Sequence, residues 1–183
     1  MKMSILREAG LDEALLGLSL SHQQPVDGMM GVACRLATWC DAAGGELKFL
    51  ESIVVWLDVT APRYWGQQFD TYRVGVTKQS ASTMHTILRR PLSQGDFAMP
   101  IPEVTLARLN ERIAALDFAA MKNELPEGFL QRRIVCTNYK ALRHMFRQRR
   151  DHRLPEWREF CAWLVTELQH PVFLMGENNA QEA

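Results

Sequence analysis

The run Ser52-Ile-Val-Val-Trp-Leu-Asp-Val-Thr60 constrains the fold more than any other segment. Ile53, Val55, Leu57 and Val59 fall on one side of an extended chain, and β-branched residues dominate, so the run is predicted as a strand with one face in a core. Pro62, with its fixed φ and no N–H, suits the first turn of a short helix reaching about Phe69. The periodicity around this strand is helical. Leu11, Leu15 and Leu18 mark a helix over residues 8–20. Pro25 and Asp27 open a second, with Met30, Ala33, Ala37 and Cys40 inward and Gly44-Gly45 as its end. Leu106, Leu109, Ile113 and Leu116 give a clean amphipathic stripe, and a further helix is expected from near Glu127, with a break, through Gln148. Pro155 opens a last helix that buries Trp157, Phe160, Cys161, Leu164 and Leu168. Residues 72–83 read as an active loop or short strand, and residues 91–102, with three prolines and a glycine, as loop. The expected architecture is α+β, mostly helical around a small sheet. It forms a single domain over residues 1–175, with a frayed polar tail at 176–183.

Charge narrows the function classes. Lys+Arg 21 balance Asp+Glu 21, so long-range attraction to nucleic acid or an anionic membrane is not the default, and any basic site must be local. No apolar run is long enough to span a bilayer or to serve as a signal peptide, which points to a cytoplasmic protein. Cys34, Cys40, Cys136 and Cys161 are not spaced as metal pairs and are expected to be reduced and mostly buried; no metal site is read.

Two segments concentrate chemistry. Residues 132–153 carry Arg132, Arg133, Lys140, Arg143, Arg147, Arg149, Arg150 and Arg153, with His144 and His152, against Asp151 as the one acid. On a helix Lys140, Arg143, Arg147 and Arg150 share a face, and arginine forks match phosphate oxygens bidentately. The bland alternative is a solvated face paired with acids elsewhere. Residues 67–85 are rich in Gln, Ser, Thr and Tyr, neutral donors and acceptors that suit a base, a ribose or a flavin edge; the alternative is a polar strand pair at a subunit interface.

The order of these features resembles the flavin-dependent thymidylate synthases. That family has a strand, Ala-Pro, a short helix ending in Gln, and a signature Arg-His-Arg followed after seven intervening residues by Ser. Downstream come an Asn, an Arg two residues on and another Arg eleven residues after the Asn. Here the strand leads to Ala61-Pro62 and Gln68. Thr71-Tyr72-Arg73 stands at the signature and Ala81 at the Ser, while Asn138, Lys140 and Arg149 stand at the downstream positions. Glu51 matches a family Glu, and the resemblance runs over residues 46–165, nearer to phage-encoded proteins of this type than to cellular ones. The departures are equally specific: the signature Arg and His are Thr71 and Tyr72, the nucleotide-side Glu is Gln79, and an Arg is Thr83.

The resemblance implies a homotetramer with sites at subunit junctions, acting at C5 of a pyrimidine nucleotide such as dUMP. It implies FAD, weakly held once two signature side chains are replaced, with folate and NADPH as further reactants. It assigns Arg73, Gln68 and Tyr72 to catalysis. Arg149, Gln79, Ser80, Ser82 and Gln68 fall to the nucleotide, and Asn138, Lys140, Arg73 and Glu51 to the flavin. The competing readings are a descendant that binds a nucleotide without synthase activity and a nucleic-acid-binding module using residues 132–153. Zero net charge weighs against the second of these.

Overall fold

The computed structural model describes residues 1–40 and 45–175. The predicted strand is there as β2 (Val54–Pro62), the second strand of a four-stranded antiparallel sheet. The others are β1 (Lys2–Ala9), β3 (Thr77–Ser80) and β4 (Leu130–Asn138), in the order β1-β2-β4-β3. Val55, Leu57, Val59 and Ala61 of β2 and Val135 of β4 are buried on one face. The other face carries the exposed Trp56 and Asp58, which accepts a two-pronged hydrogen bond from Arg132 at 2.9 and 2.6 Å.

The helices are α1 (Leu11–His22), α2 (Met29–Trp39), α3 (Phe49–Ser52), α4 (Arg63–Phe69), α5 (Thr83–Thr86), α6 (Glu103–Ala114), α7 (Phe118–Glu124), α8 (Tyr139–Arg149), α9 (Pro155–Glu167) and α10 (Val172–Met175). α4 and α9 pack ring on ring: Trp65 stacks on Phe69 at 4.8 Å and meets Trp157 at 4.9 Å and Phe160 at 5.5 Å. Burying each such ring is worth roughly 1.5–3 kcal/mol, so this cluster anchors the main core. A second core forms around α6 and α7 from Ile87, Leu92, Phe97, Leu109, Ile113, Met121 and Leu125. It joins the first where Arg63 N–H bonds Phe129 O at 3.0 Å and Tyr64 N–H bonds Glu127 O at 3.2 Å.

Several expectations are corrected. The helix expected from Glu127 through Gln148 is strand β4 followed by α8, because Arg133, Val135 and Thr137 turn inward alternately and Asn138 caps α8, accepting from Ala141 N–H at 2.9 Å. The first helix starts at Leu11, not residue 8. Residues 2–9 are spent on β1, and Gly10, at φ 95°, makes the turn where a Cβ would stand 2.3 Å from Ser52 O. Leu116 is exposed beyond the end of α6 with φ 55°, not inward. Only Cys161 is fully buried; the other three cysteines are half-buried, and all four are free thiols. The expected helix end at Gly44 and the polar tail at 176–183 lie outside the described residues.

The shared basic face on α8 is also corrected. Arg143 is fully buried and donates to Phe173 O at 2.8 Å and Ala37 O at 2.6 Å, tying the C-terminal turn of α2 to α10. Removing it strands buried carbonyls and opens a cavity. Arg143→Ala is expected to lower unfolding free energy by about 3–5 kcal/mol in urea titration, and Arg143→Lys by less, since one ammonium cannot span both carbonyls as a fork does.

Candidate functional site

The site is built outward from the end of α4. Two cations from neighbouring strands, the buried Arg133 and the half-buried Lys78, hold that end. Arg133 of β4 donates to Gly66 O at 3.2 Å and Asp70 Oδ1 at 2.8 Å, and lies so close to Gly66 that a Cβ there would stand 2.3 Å from Arg133 Nη2. Lys78 of β3 donates to Phe69 O at 2.9 Å and Tyr72 O at 2.7 Å, with Asp70 at 3.6 Å. Burial pulls the Lys78 ammonium below the ordinary lysine range, with Asp70 opposing.

The turn so fixed delivers Gln68 and Tyr72 to α8 and α9. Gln68 Oε1 accepts from Trp157 Nε1 at 2.9 Å. Tyr72 is buried against Trp157 and His144, at ring distances of 5.8 and 6.0 Å. Its hydroxyl donates to Gln148 Oε1 at 2.9 Å and accepts from Arg149 Nε at 2.7 Å. The Arg149 guanidinium carbon lies 5.0 Å from the Trp157 ring centroid and 5.6 Å from that of Tyr72. Neither terminal nitrogen of Arg149 is bonded to a protein group among the described residues. Burial, then Arg149, Arg153 and Arg158, hold His152 below the ordinary histidine range, so that ring stays neutral beside the arginines.

A hollow of about 340 Å³ opens beside this cluster, lined by Glu51, Val74, Gly75, Asn138, Lys140, Ala141 and His144. His144 is the shared wall, touching Tyr72 on its other side. Gly75, at φ 68°, is needed here: a Cβ would come within 2.7 Å of Asn138 Nδ2. Lys140 is bonded to Glu51 across the hollow, and Arg73, which directly precedes Val74 of the lining, is exposed with no side-chain hydrogen bond or ion pair among the described residues. A larger hollow of about 790 Å³ lies between α1, α2 and residues 45–52, and Glu51 borders both. Among the described residues no group of three or more His, Cys, Asp or Glu is placed to hold a metal ion.

The structure therefore gathers Gln68, Tyr72 and Arg149 in one place and Glu51, Asn138 and Lys140 in the adjoining hollow, and leaves Arg73 outside its lining, one residue before Val74. It sets apart Gln79, Ser80 and Ser82. Gln79 pairs with Ile134 while Lys78 pairs with Val135, so Gln79 faces away from the side on which Lys78 holds Tyr72. Ser80 is exposed on the edge strand, and Ser82 precedes α5. Tyr72, assigned to catalysis by the resemblance, is buried, with its hydroxyl bonded to Gln148 and Arg149. Sequence reasoning placed Trp157 only in the core and passed over Lys78 and Gln148. The one available signal was Gly75 inside a polar run.

No family model matches the chain, and no curated protein matches it in sequence. Solved structures do match it. One flavin-dependent thymidylate synthase ThyX from Helicobacter pylori, complexed with FAD and dUMP, superposes with a TM-score of 0.77 at 14% identity, covering 96% of this chain and 98% of that one. A second structure of the Helicobacter pylori enzyme with FAD and dUMP gives 0.81 at 15% identity, covering 97% and 98%. No helix among the described residues is long and apolar enough to cross a membrane. With the four-stranded antiparallel sheet and its helices aligned over almost the whole chain, this protein has the flavin-dependent thymidylate synthase fold.

Proposed function

We propose that the chain binds a pyrimidine monophosphate such as dUMP through Arg149 and acts at C5 of its base in the manner of a flavin-dependent thymidylate synthase. The observation that carries this reading is the Arg149 fork, seated on Tyr72 and Trp157 with both terminal nitrogens unspent, next to a ring-sized hollow. A planar guanidinium with two parallel N–H groups fits two oxygens of a phosphate. Gln68, fixed by Trp157, would align the base. The fold supports the reading because the Helicobacter pylori structures of the same fold contain FAD and dUMP.

The hollow fits a flat ring system with neutral hydrogen-bonding groups better than it fits a pyrophosphate. Asn138 Oδ1 is spent on the α8 cap and Lys140 on Glu51, which leaves Arg73, one residue before Val74 of the lining, as the nearest cation in sequence without a side-chain partner among the described residues. Asn138, Lys140, Glu51 and Arg73 would hold a flavin there, which would supply hydride chemistry when bound. Folate and NADPH would bring the one-carbon unit and the reducing equivalents. Gln79 faces away from Arg149 within one chain, so the two meet on one nucleotide only if another copy supplies one of them. That geometry supports a homotetramer with sites between subunits. A descendant that binds the nucleotide without turnover is the second reading, favoured by Thr71 and Tyr72 at the signature positions.

Three measurements test this. Arg149→Ala is expected to weaken dUMP binding in calorimetry by about tenfold to a hundredfold, from a charge-assisted pair worth about 1.5–3 kcal/mol, without unfolding the chain; equal affinities would remove Arg149 from the site. Light scattering at micromolar concentration is expected to give a tetramer, and a monomer would refute the shared site. Purified protein is expected to be nearly colourless, with FAD binding in fluorescence titration only at high micromolar concentration and slow dUMP methylation with folate and reductant. A stoichiometrically yellow preparation with full turnover would show that other residues replace the lost signature arginine.

A further inference from the structure

We infer that Tyr72 is the positioning residue of the anion site: its hydroxyl takes up Arg149 Nε and turns the guanidinium so that only its terminal edge is offered to a phosphate. The inference rests on the nucleotide reading of Arg149 and adds how that arginine is aimed. A free guanidinium can bind an oxyanion side-on, through Nε and one terminal nitrogen, or end-on, through both terminal nitrogens. Here Nε is occupied at 2.7 Å, so the side-on mode is closed. The direction of the hydroxyl is itself fixed. Its one proton goes to Gln148 Oε1 at 2.9 Å, which leaves an oxygen lone pair for Arg149. Two rings hold the plane of the guanidinium, Trp157 at 5.0 Å and Tyr72 at 5.6 Å. Tyr72 cannot drift, because Lys78 holds its carbonyl at 2.7 Å and its ring is buried. The ligand class that fits is a terminal phosphate monoester, which can present two oxygens to the end of the fork.

The test uses the full chain and separates this inference from the nucleotide reading. Calorimetry compares dUMP with deoxyuridine, which lacks the phosphate, on the unaltered protein, on Tyr72→Phe and on Gln148→Ala. NMR follows exchange of the Arg149 Nε proton in the same three proteins. Tyr72→Phe keeps the buried ring and deletes the hydroxyl, and with it both the acceptor of Arg149 Nε and the donor to Gln148. It is expected to lower dUMP affinity about tenfold, leave deoxyuridine affinity unchanged and speed Arg149 Nε proton exchange. Gln148 is exposed, so Gln148→Ala folds even if the tyrosine variant does not, and it is expected to shift the same two readouts in the same direction by about twofold to threefold. Equal loss for dUMP and deoxyuridine would mark Tyr72 as a packing residue only. An unchanged dUMP affinity in Tyr72→Phe would overturn the inference and leave the nucleotide site standing. If the unaltered protein binds no dUMP, the nucleotide reading falls. The exchange data then decide the positioning role alone, and unaltered exchange in Tyr72→Phe overturns it.

Discussion

The end of α4 is held by two cations that the sheet drives into the protein. Arg133 and Lys78 come from adjacent antiparallel strands, and between them they take the carbonyls of Gly66, Phe69 and Tyr72, with Asp70 as the balancing charge. A helix C-terminus carries partial negative charge and unpaired carbonyls, so cations there satisfy both at once. Burying a cation is costly unless its donors are used, and here they are. From this clamp follow the positions of Gln68 and Tyr72, and through Tyr72 that of Arg149. The site geometry thus depends on strand register: a one-residue slip of β3 on β4 would turn Lys78 outward and release the turn.

The same accounting explains why a segment so rich in arginine does not form a basic surface. Arg132 is spent on Asp58, Arg133 on Asp70, Lys140 on Glu51, Arg143 on buried carbonyls and Arg150 on Asp151. The first four tie together segments distant in sequence, while Arg150 pairs only with its neighbour Asp151. Arg149 differs because it rests on aromatic rings and a hydroxyl instead of an acid, so its charge is oriented without being neutralised. An oriented, uncompensated cation in a half-buried place is what an anionic ligand requires.

Strand β2 could be read because its apolar residues alternate without interruption, and α9 because its stripe repeats at helical spacing. β4 could not. Two of its three inward residues are Arg133 and Thr137, and the burial of Arg133 follows from partners at the end of α4 that only the tertiary fold supplies. β1 escaped because its register shifts between Ile5 and Arg7, which puts Leu6 out of phase and exposes it. The cluster around Arg149 was legible through motif order, since Gln68, Asn138 and Arg149 keep their spacing. The role of Tyr72 was not, because a tyrosine in a polar run shows nothing of the Lys78 carbonyl bond or the Gln148 acceptor that bury and orient it. Gln79, Ser80 and Ser82 were grouped with the site by proximity in sequence, yet strand alternation turns Gln79 to the opposite face.

The rewritten signature has unequal consequences for the two proposed ligands. Thr71 and Tyr72 are both engaged with the protein itself: the exposed Thr71 donates from Oγ1 to Gln68 O at 2.7 Å at the end of α4, and the buried Tyr72 supports Arg149. In the proposed reading the nucleotide side keeps an oriented fork in Arg149, while the flavin side lacks the arginine that the resemblance places at Thr71. Lys140 is a point charge already paired with Glu51, and Arg73 stands exposed, where solvent screens its pull on a phosphate. In the proposed reading the two halves of the site differ in charge: Arg149 is oriented without a partner acid, while Lys140 is already paired with Glu51. A ligand that brings its own divalent counter-ion, or a neighbouring subunit that lends an arginine, would restore the balance that one chain lacks.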